Sequence, residues 1–304
     1  MLSRVAESLY WAARNVERAE DLARLIDVTA TRAVDRAVDA ERRWRAAHAV
    51  AGIACADGEE CDRAAALERI VFDAESPFSI TACVRIARRN AINVRAELTT
   101  EIWECINELY LFVEAQSPRA VGPDGTSSFL RSIRISAQAF GGICDATLAH
   151  EDAWTFIRIG RYLERASMTA RVLRGVEDDA GPHIWQLVLE SCCAAEPYAR
   201  ARQQSFDPVD ALGFLALSAM FPRSLRFCLH EVDHALHRLS GAPTGTFANA
   251  AERTSGRLAS SLDYAGATDL AREGAANVAA RIASDLDELG AAITTAYFPR
   301  VPVG

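Results

Sequence analysis

Two eleven-residue stretches concentrate the residue types that do chemistry. Residues 14–24 read RNVERAEDLAR and residues 161–171 read RYLERASMTAR, both following R-x-x-E-R-A-x-x-x-A-R and agreeing at six positions at an offset of 147 residues. The shared positions of each copy set one carboxylate among three guanidinium groups: Glu17 with Arg14, Arg18 and Arg24, and Glu164 with Arg161, Arg165 and Arg171. A planar guanidinium grips a carboxylate through two parallel N–H bonds and keeps donors over for a backbone carbonyl or a bound anion. Three chemistries fit this grouping: an ion-pair centre that fixes helix register, an anion or carboxylate site with spare arginine donors, and general acid–base catalysis by Glu17 or Glu164. The arginines count against the last, because neighbouring cations hold a carboxylate charged and leave it a poor base at neutral pH.

On a helical wheel of about 100° per residue, each copy has one apolar stripe. It is Val16, Ala19, Ala23 and Ile26 in the first and Leu163, Ala166, Ala170 and Leu173 in the second. A solvated opposite face with local Arg–Glu pairs, each worth a few tenths of a kcal/mol, is the simplest account of the charge. Yet Tyr10, Trp11, Leu25 and Val28 share the charged side in copy one, as do Trp154, Ile157, Met168 and Val172 in copy two. A helix apolar on both sides with a charged band in its middle is expected to be buried. The expected partner is the other copy, with Glu17 and Glu164 each bridged by arginines near a pseudo-two-fold axis.

A second pair of stretches follows at nearly the same offset, PFSITACV at 77–84 and PRSLRFCL at 222–229. Two ordered matches predict homologous helical halves over residues 1–117 and 140–240, with C-terminal helices over 250–298, in a single all-α domain spanning 1–304. Apolar residues recur at three- and four-residue spacing almost throughout, which is the helical period. The predicted helices are 2–34, 41–55, 61–73, 79–97, 100–115, 128–148, 151–174, 183–204, 208–219, 222–240, 252–264 and 268–297, with Ser79, Thr100 and Thr268 as N-caps. QSPRAVGPDGTSS at 116–128 and SGAPTGTF at 240–247 read as connectors.

Other constellations are weaker. HEVDH at 230–234 fits the zinc-peptidase pattern, with His237 extending the stripe and Glu252 a distant third ligand. Asp233 intrudes on spacers that are normally uncharged, and Arg85 and Arg89 stand at the two His positions in the first half, so an exposed histidine face is expected and no metal site is assigned. Glu101, Glu104 and Glu108 with Trp103 form an acidic edge that Arg85, Arg88, Arg89 and Arg95 could pair with. The eight cysteines contain no CxxC and are read as buried thiols of a reducing compartment. A net charge of −8 argues against nucleic acid as a partner. No Walker loop, dinucleotide fingerprint or nucleophile elbow occurs, and no cofactor is implied. The longest apolar run, ALGFLALSAMF at 211–221, is too short to span a membrane, and the charged first turns do not resemble a signal peptide, so a cytoplasmic protein is expected.

The opening MLSRVAESLYW, the two ERA motifs, SPFSITACVRIARRN followed by TTEIWECINELY, and FPRSLRFCL together resemble the alpha-E family, a bacterial all-helical domain named for its ER motif. Ala13 and Asn15 depart from the Gly160–Tyr162 form of the motif. The resemblance implies association with circularly permuted ATP-grasp proteins and with transglutaminase-like proteins. The expected role is an accessory or scaffold subunit of an ATP-grasp-type ligase in amide or peptide bond formation. A stand-alone enzyme of acyl or aminoacyl transfer, using the Arg/Glu centre, and a structural homo-oligomer are the alternatives.

Overall fold

A computed structural model describes residues 1–33, 40–53, 55, 61–177, 180–201 and 206–299. Among these residues the chain is all-helical and forms no strand. In chain order the helices are α1 (Ser3–Ala33), α2 (Ala40–Ala51), α3 (Arg63–Ala66) running into a π-helical turn (Leu67–Phe72), α4 (Ile80–Asn93), α5 (Thr100–Glu114), α6 (Pro118–Thr147) and α7 (Asp152–Arg174). They continue with α8 (Pro182–Ser191), α9 (Ala195–Ala201), α10 (Pro208–Leu217), α11 (Leu225–Ser240), α12 (Ala250–Asp263), α13 (Ala267–Glu273) and α14 (Ala275–Tyr297). The chain divides into two compact units, Trp11–Leu148 in one and Met1–Tyr10 with Ala149–Gly304 in the other. The first ER copy, on α1, lies in the first of these units, and the second copy, on α7, lies in the other.

In the Trp11–Leu148 unit, α5 packs against both α4 and α6. α1 is fastened to α6 by an Asp27–Arg134 ion pair at 2.9 Å and a Ser127 hydroxyl donating to Asp27 at 2.8 Å. The arginines of α4 meet α5 at Trp103 and beyond its three edge acids. Arg85 binds Glu114 through two bonds of 2.6 and 2.9 Å, and Arg88 stacks on Tyr110 at 4.3 Å and on Trp103 at 5.8 Å. Glu101, Glu104 and Glu108 stay exposed, because they point away from the face that α5 buries through Ile102, Ile106 and Leu109. In the other unit α7 is the hub, packed on α11 and α14, with α12 laid against both of those. That surround explains why α7 is apolar on most of its circumference, from Phe156 to Leu173.

Several local expectations need correction. Ser79 caps α4 as read, but α5 is capped by Thr99, whose extended backbone (φ −69, ψ 163) lets its side chain accept from the Ile102 amide, whereas Thr100 is already helical. Thr268 likewise lies inside α13, which starts after Gly266. Most of the supposed connector at 116–128 is helix. Pro118 occupies a first-turn position where its missing N–H costs nothing, and Gly122 (φ 55) takes up the kink between two helical stretches. The span 183–204 breaks at Cys193 (φ 56) and 268–297 breaks at Gly274 (φ 89), so each is two helices.

The cysteine reading fails at Cys105 and Cys193, which are only half-buried, and at one pair. Cys55 and Cys61 are joined by a disulfide. The helix expected to run to 55 ends at Ala51, where Gly52 (φ 82) turns the chain, so these two cysteines lie outside the helices and close a short loop. Cys83, Cys144, Cys192 and Cys228 are buried as expected. Among the described residues no helix is long and apolar enough to cross a membrane.

Candidate functional site

The charged face of α1 is not solvated. Glu17, Glu20, Asp21 and Arg24 are 6, 2, 5 and 9% exposed. Residues three and four apart share a helix face, and one carboxylate oxygen each of Glu17, Glu20 and Asp21 lie within 4.8 Å of one another. Three anions so close repel strongly once water is removed, unless cations and donors offset them. Arg24, one turn beyond Glu20, forms an ion pair with it, and Gln138 on α6 donates to the same carboxylate oxygen at 3.2 Å. Neither Glu20 nor Asp21 was a sequence candidate, although the string ERAED carries the signal: acids three and four residues beyond Glu17 fall on its own face. Arg14 lies 5.1 Å from the Trp11 ring and Arg18 lies 5.9 Å from the Phe78 ring.

Copy two has different chemistry. Ser167 and Met168 stand where copy one has Glu20 and Asp21, leaving Glu164, at 0% exposure, as the carboxylate of the motif. Arg158, Arg161 and Arg165 gather around the Tyr162 ring at 5.1, 5.9 and 5.2 Å, distances at which a cation is drawn to the ring face. Arg158 also pairs with Glu231 of α11, and Tyr162 packs on Phe227 at 5.9 Å. In copy one Asn15 replaces that tyrosine and its amide folds back onto the Trp11 carbonyl at 2.8 Å, so the ring that collects arginines is missing there. Arg171 is half-buried near the end of α7.

The second repeated stretch accounts for what the ER helices meet. In PFSITAC the Ser79 hydroxyl accepts from the Ala82 amide at 3.0 Å and donates to the Asp73 carbonyl at 2.5 Å, with Cys83 Sγ 4.0 Å from the Pro77 carbonyl. In PRSLRFC the Ser224 hydroxyl accepts from the Phe227 amide at 3.1 Å and donates to the Ser218 carbonyl at 2.5 Å, with Cys228 Sγ 3.4 Å from the Pro222 carbonyl. The second ER arginine of each copy reaches the same turn: Arg18 lies over Phe78, while Arg165 donates to the Pro222 carbonyl at 3.3 Å. Thr169 adds a bond to the Arg223 carbonyl at 2.9 Å. In each unit an arginine of the ER stretch thus lies beside the capped start of a later helix, α4 in one and α11 in the other.

The HEVDH residues are engaged in other ways. His230 Nε2 and Arg226 Nε both lie 2.7 Å from Asp263, and although burial pushes that carboxyl upward, these two bonds hold it below the usual carboxylate range. Glu231, the general base of a peptidase, is paired with Arg158. His234 is exposed, but His237 is largely covered. Its Nδ1 is 2.9 Å from the Asp233 carbonyl and its Nε2 is 3.1 Å from the Thr246 carbonyl. Carbonyls only accept, so the doubly protonated ring is the form that both contacts favour. Burial lowers its pKa, but the two carbonyls and the Asp233 and Glu252 carboxylates outweigh that and raise it above 6.5. A raised histidine pKa adds stability that is complete below the unfolded value and is lost as pH climbs through the folded one. His237 is therefore expected to titrate by NMR with a midpoint above 6.5. The stability gap between the natural protein and His237→Gln is expected to shrink as pH rises past that midpoint; a gap that widens would reverse the assignment.

A cleft of about 230 Å³ lies apart from these residues, lined by Val176, Trp185, Leu212, Arg272, Glu273 and their neighbours, with no ER residue among them. Glu273 is held there by Arg281 through two bonds of 2.9 Å, which depress its pKa against the opposing effect of burial.

Comparison with known proteins bears on the whole chain. Uncharacterized protein Rv2567 of Mycobacterium tuberculosis and uncharacterized protein Mb2597 of Mycobacterium bovis are each 25% identical to it over 269 residues, which is 79% of this chain and 30% of theirs. The chain therefore spans under a third of the length of these relatives. No solved structure matches. The family described as a predicted alpha-helical domain with a conserved ER motif matches residues 1–298, and the chain belongs to that family, Alpha-E.

Proposed function

We propose that this Alpha-E chain is a non-catalytic helical subunit that works beside a circularly permuted ATP-grasp-type ligase in forming or modifying an amide or peptide bond. Burial of the ER centres carries the proposal: Glu17 and Glu164 are 6% and 0% exposed, and the cleft near Trp185 contains neither. A carboxylate sealed from solvent fixes helices in register; a general base must come within hydrogen-bond reach of a substrate proton. The length of the relatives supports a helper role, since the similar segment is 30% of each mycobacterial protein and operates there beside much more chain. ATP-grasp enzymes activate a carboxylate as an acyl phosphate and join it to an amine, so the reaction is complete without a second catalytic chain. Transglutaminase-like proteins are the second class of partner. ATP-dependent ligation is cytoplasmic chemistry, and on this proposal the chain belongs there.

The test is capture of partners on the tagged chain, followed by ATP consumption by a purified ATP-grasp partner with and without it. Stable capture with altered turnover is expected. A chain that binds no such enzyme and leaves its turnover unchanged would return attention to acyl or aminoacyl transfer by Glu17 or Glu164.

A further inference from the structure

The cluster formed by His48, Cys55 and Cys61 has the makings of a metal site. A ring nitrogen of His48 and the two sulfurs all lie within 4.8 Å of one another. His48 is on α2 and is 0% exposed. Its Nδ1 is 2.8 Å from the Trp44 carbonyl, an acceptor, so Nδ1 carries the proton and Nε2 presents a lone pair. Nε2 is buried and has no hydrogen-bond partner. A buried acceptor left in this way costs free energy that a neighbouring group should recover. A histidine whose Nδ1–H is fixed on a backbone carbonyl, with Nε2 turned toward ligands, is the arrangement found behind metal-bound imidazoles.

We infer that the dithiol form of Cys55 and Cys61 binds a zinc-class divalent cation together with His48 Nε2. Two thiolates and one imidazole suit Zn²⁺ and leave a fourth position for water or another donor. The disulfide and the metal site are alternative states of the same atoms. Reduction by two equivalents of a small thiol breaks the S–S bond, giving two protein thiols and one small-molecule disulfide. Binding of the cation then releases two protons as the thiols become thiolates. Where cellular thiols keep disulfides reduced, the dithiol is the prevailing form.

The experiment uses the full chain, reduced with a phosphine and titrated anaerobically with Co²⁺ as an optical stand-in for Zn²⁺. Phosphine and one water leave as the phosphine oxide, supplying the two electrons and two protons. The reduced protein is expected to take up one ion per chain with thiolate-to-cobalt charge-transfer absorption, displaced by Zn²⁺, while the oxidised protein shows neither. His48→Ala is expected to weaken binding at least tenfold or so, since even outer partners of a ligand are worth about 10–100-fold. Because His48 is buried, Cys55→Ser provides a second variant at a half-exposed position, and melting of oxidised His48→Ala checks its fold. Equal uptake by reduced and oxidised protein, or uptake that survives either substitution, would overturn the assignment.

Discussion

Arg24→Met is expected to cost about 3–5 kcal/mol of stability, the range found when one partner of a buried ion pair is removed. Methionine keeps most of the side-chain length, so the loss reports charge rather than volume. Arg24 is 9% exposed and is paired with Glu20, itself one of three carboxylates that each place an oxygen within 4.8 Å of the others. Without the guanidinium, mutual repulsion among Glu17, Glu20 and Asp21 is met by less positive charge, in surroundings where water cannot screen it. Thermal melting is the measurement, with a fall on the order of 10 °C expected for a loss of this size in a protein of this class. The matching change, Arg171→Met, is expected to cost clearly less, because Ser167 and Met168 stand where the other two acids would be. Equal losses at the two positions would mean that the last arginine acts through its place on the helix, and that the acidic trio is not what it answers.

The contrast between the copies marks how far the sequence could be read. The helices were legible because their apolar spacing repeats every three or four residues and because a long α-helix needs no distant information to be recognised. Burial of Glu17, Arg24 and Glu164 was legible too, since Leu25, Ile157 and Val172 flank them, while the other five arginines of the band are half-buried. What the arginines bind was not, because Arg158, Arg161 and Arg165 meet around Tyr162 while Arg165 also reaches a carbonyl 57 residues further on, a pairing no local pattern encodes. The Cys55–Cys61 bond spans only six residues and was hidden otherwise, because 41–55 and 61–73 read as helices whereas α2 ends at Ala51 and leaves both cysteines outside the helices. The misreading at 116–128 had a different cause: Gly, Pro and Ser composition suggests a loop, yet Pro at a helix start and one glycine at a kink are both compatible with two helical stretches that meet there.

Ser79→Ala and Ser224→Ala are expected to be the next most costly changes, at about 2–4 kcal/mol each. Both serines are 0% exposed and both hydroxyls serve twice, as acceptor from the first turn of a helix and as donor to a carbonyl six residues earlier. Losing the cap alone is worth about 0.5–2 kcal/mol. Stranding a half-buried carbonyl, of Asp73 in one unit and Ser218 in the other, adds up to about 1–3 kcal/mol. Ser117→Ala provides the comparison, because Ser117 caps α6 through one bond to the Ala120 amide at an exposed position and should cost only the cap. Urea melts of the three variants separate the contributions, with the two buried serines expected to exceed Ser117 by a similar margin. A similar margin follows from the geometry, since each turn is braced by the second ER arginine of its own unit, Arg18 over Phe78 and Arg165 on the Pro222 carbonyl. Should Ser224→Ala cost no more than Ser117→Ala, the bond to Ser218 contributes nothing and the capped turn is not what holds α7. The ER helices would then have to be fixed by their arginines and apolar faces alone.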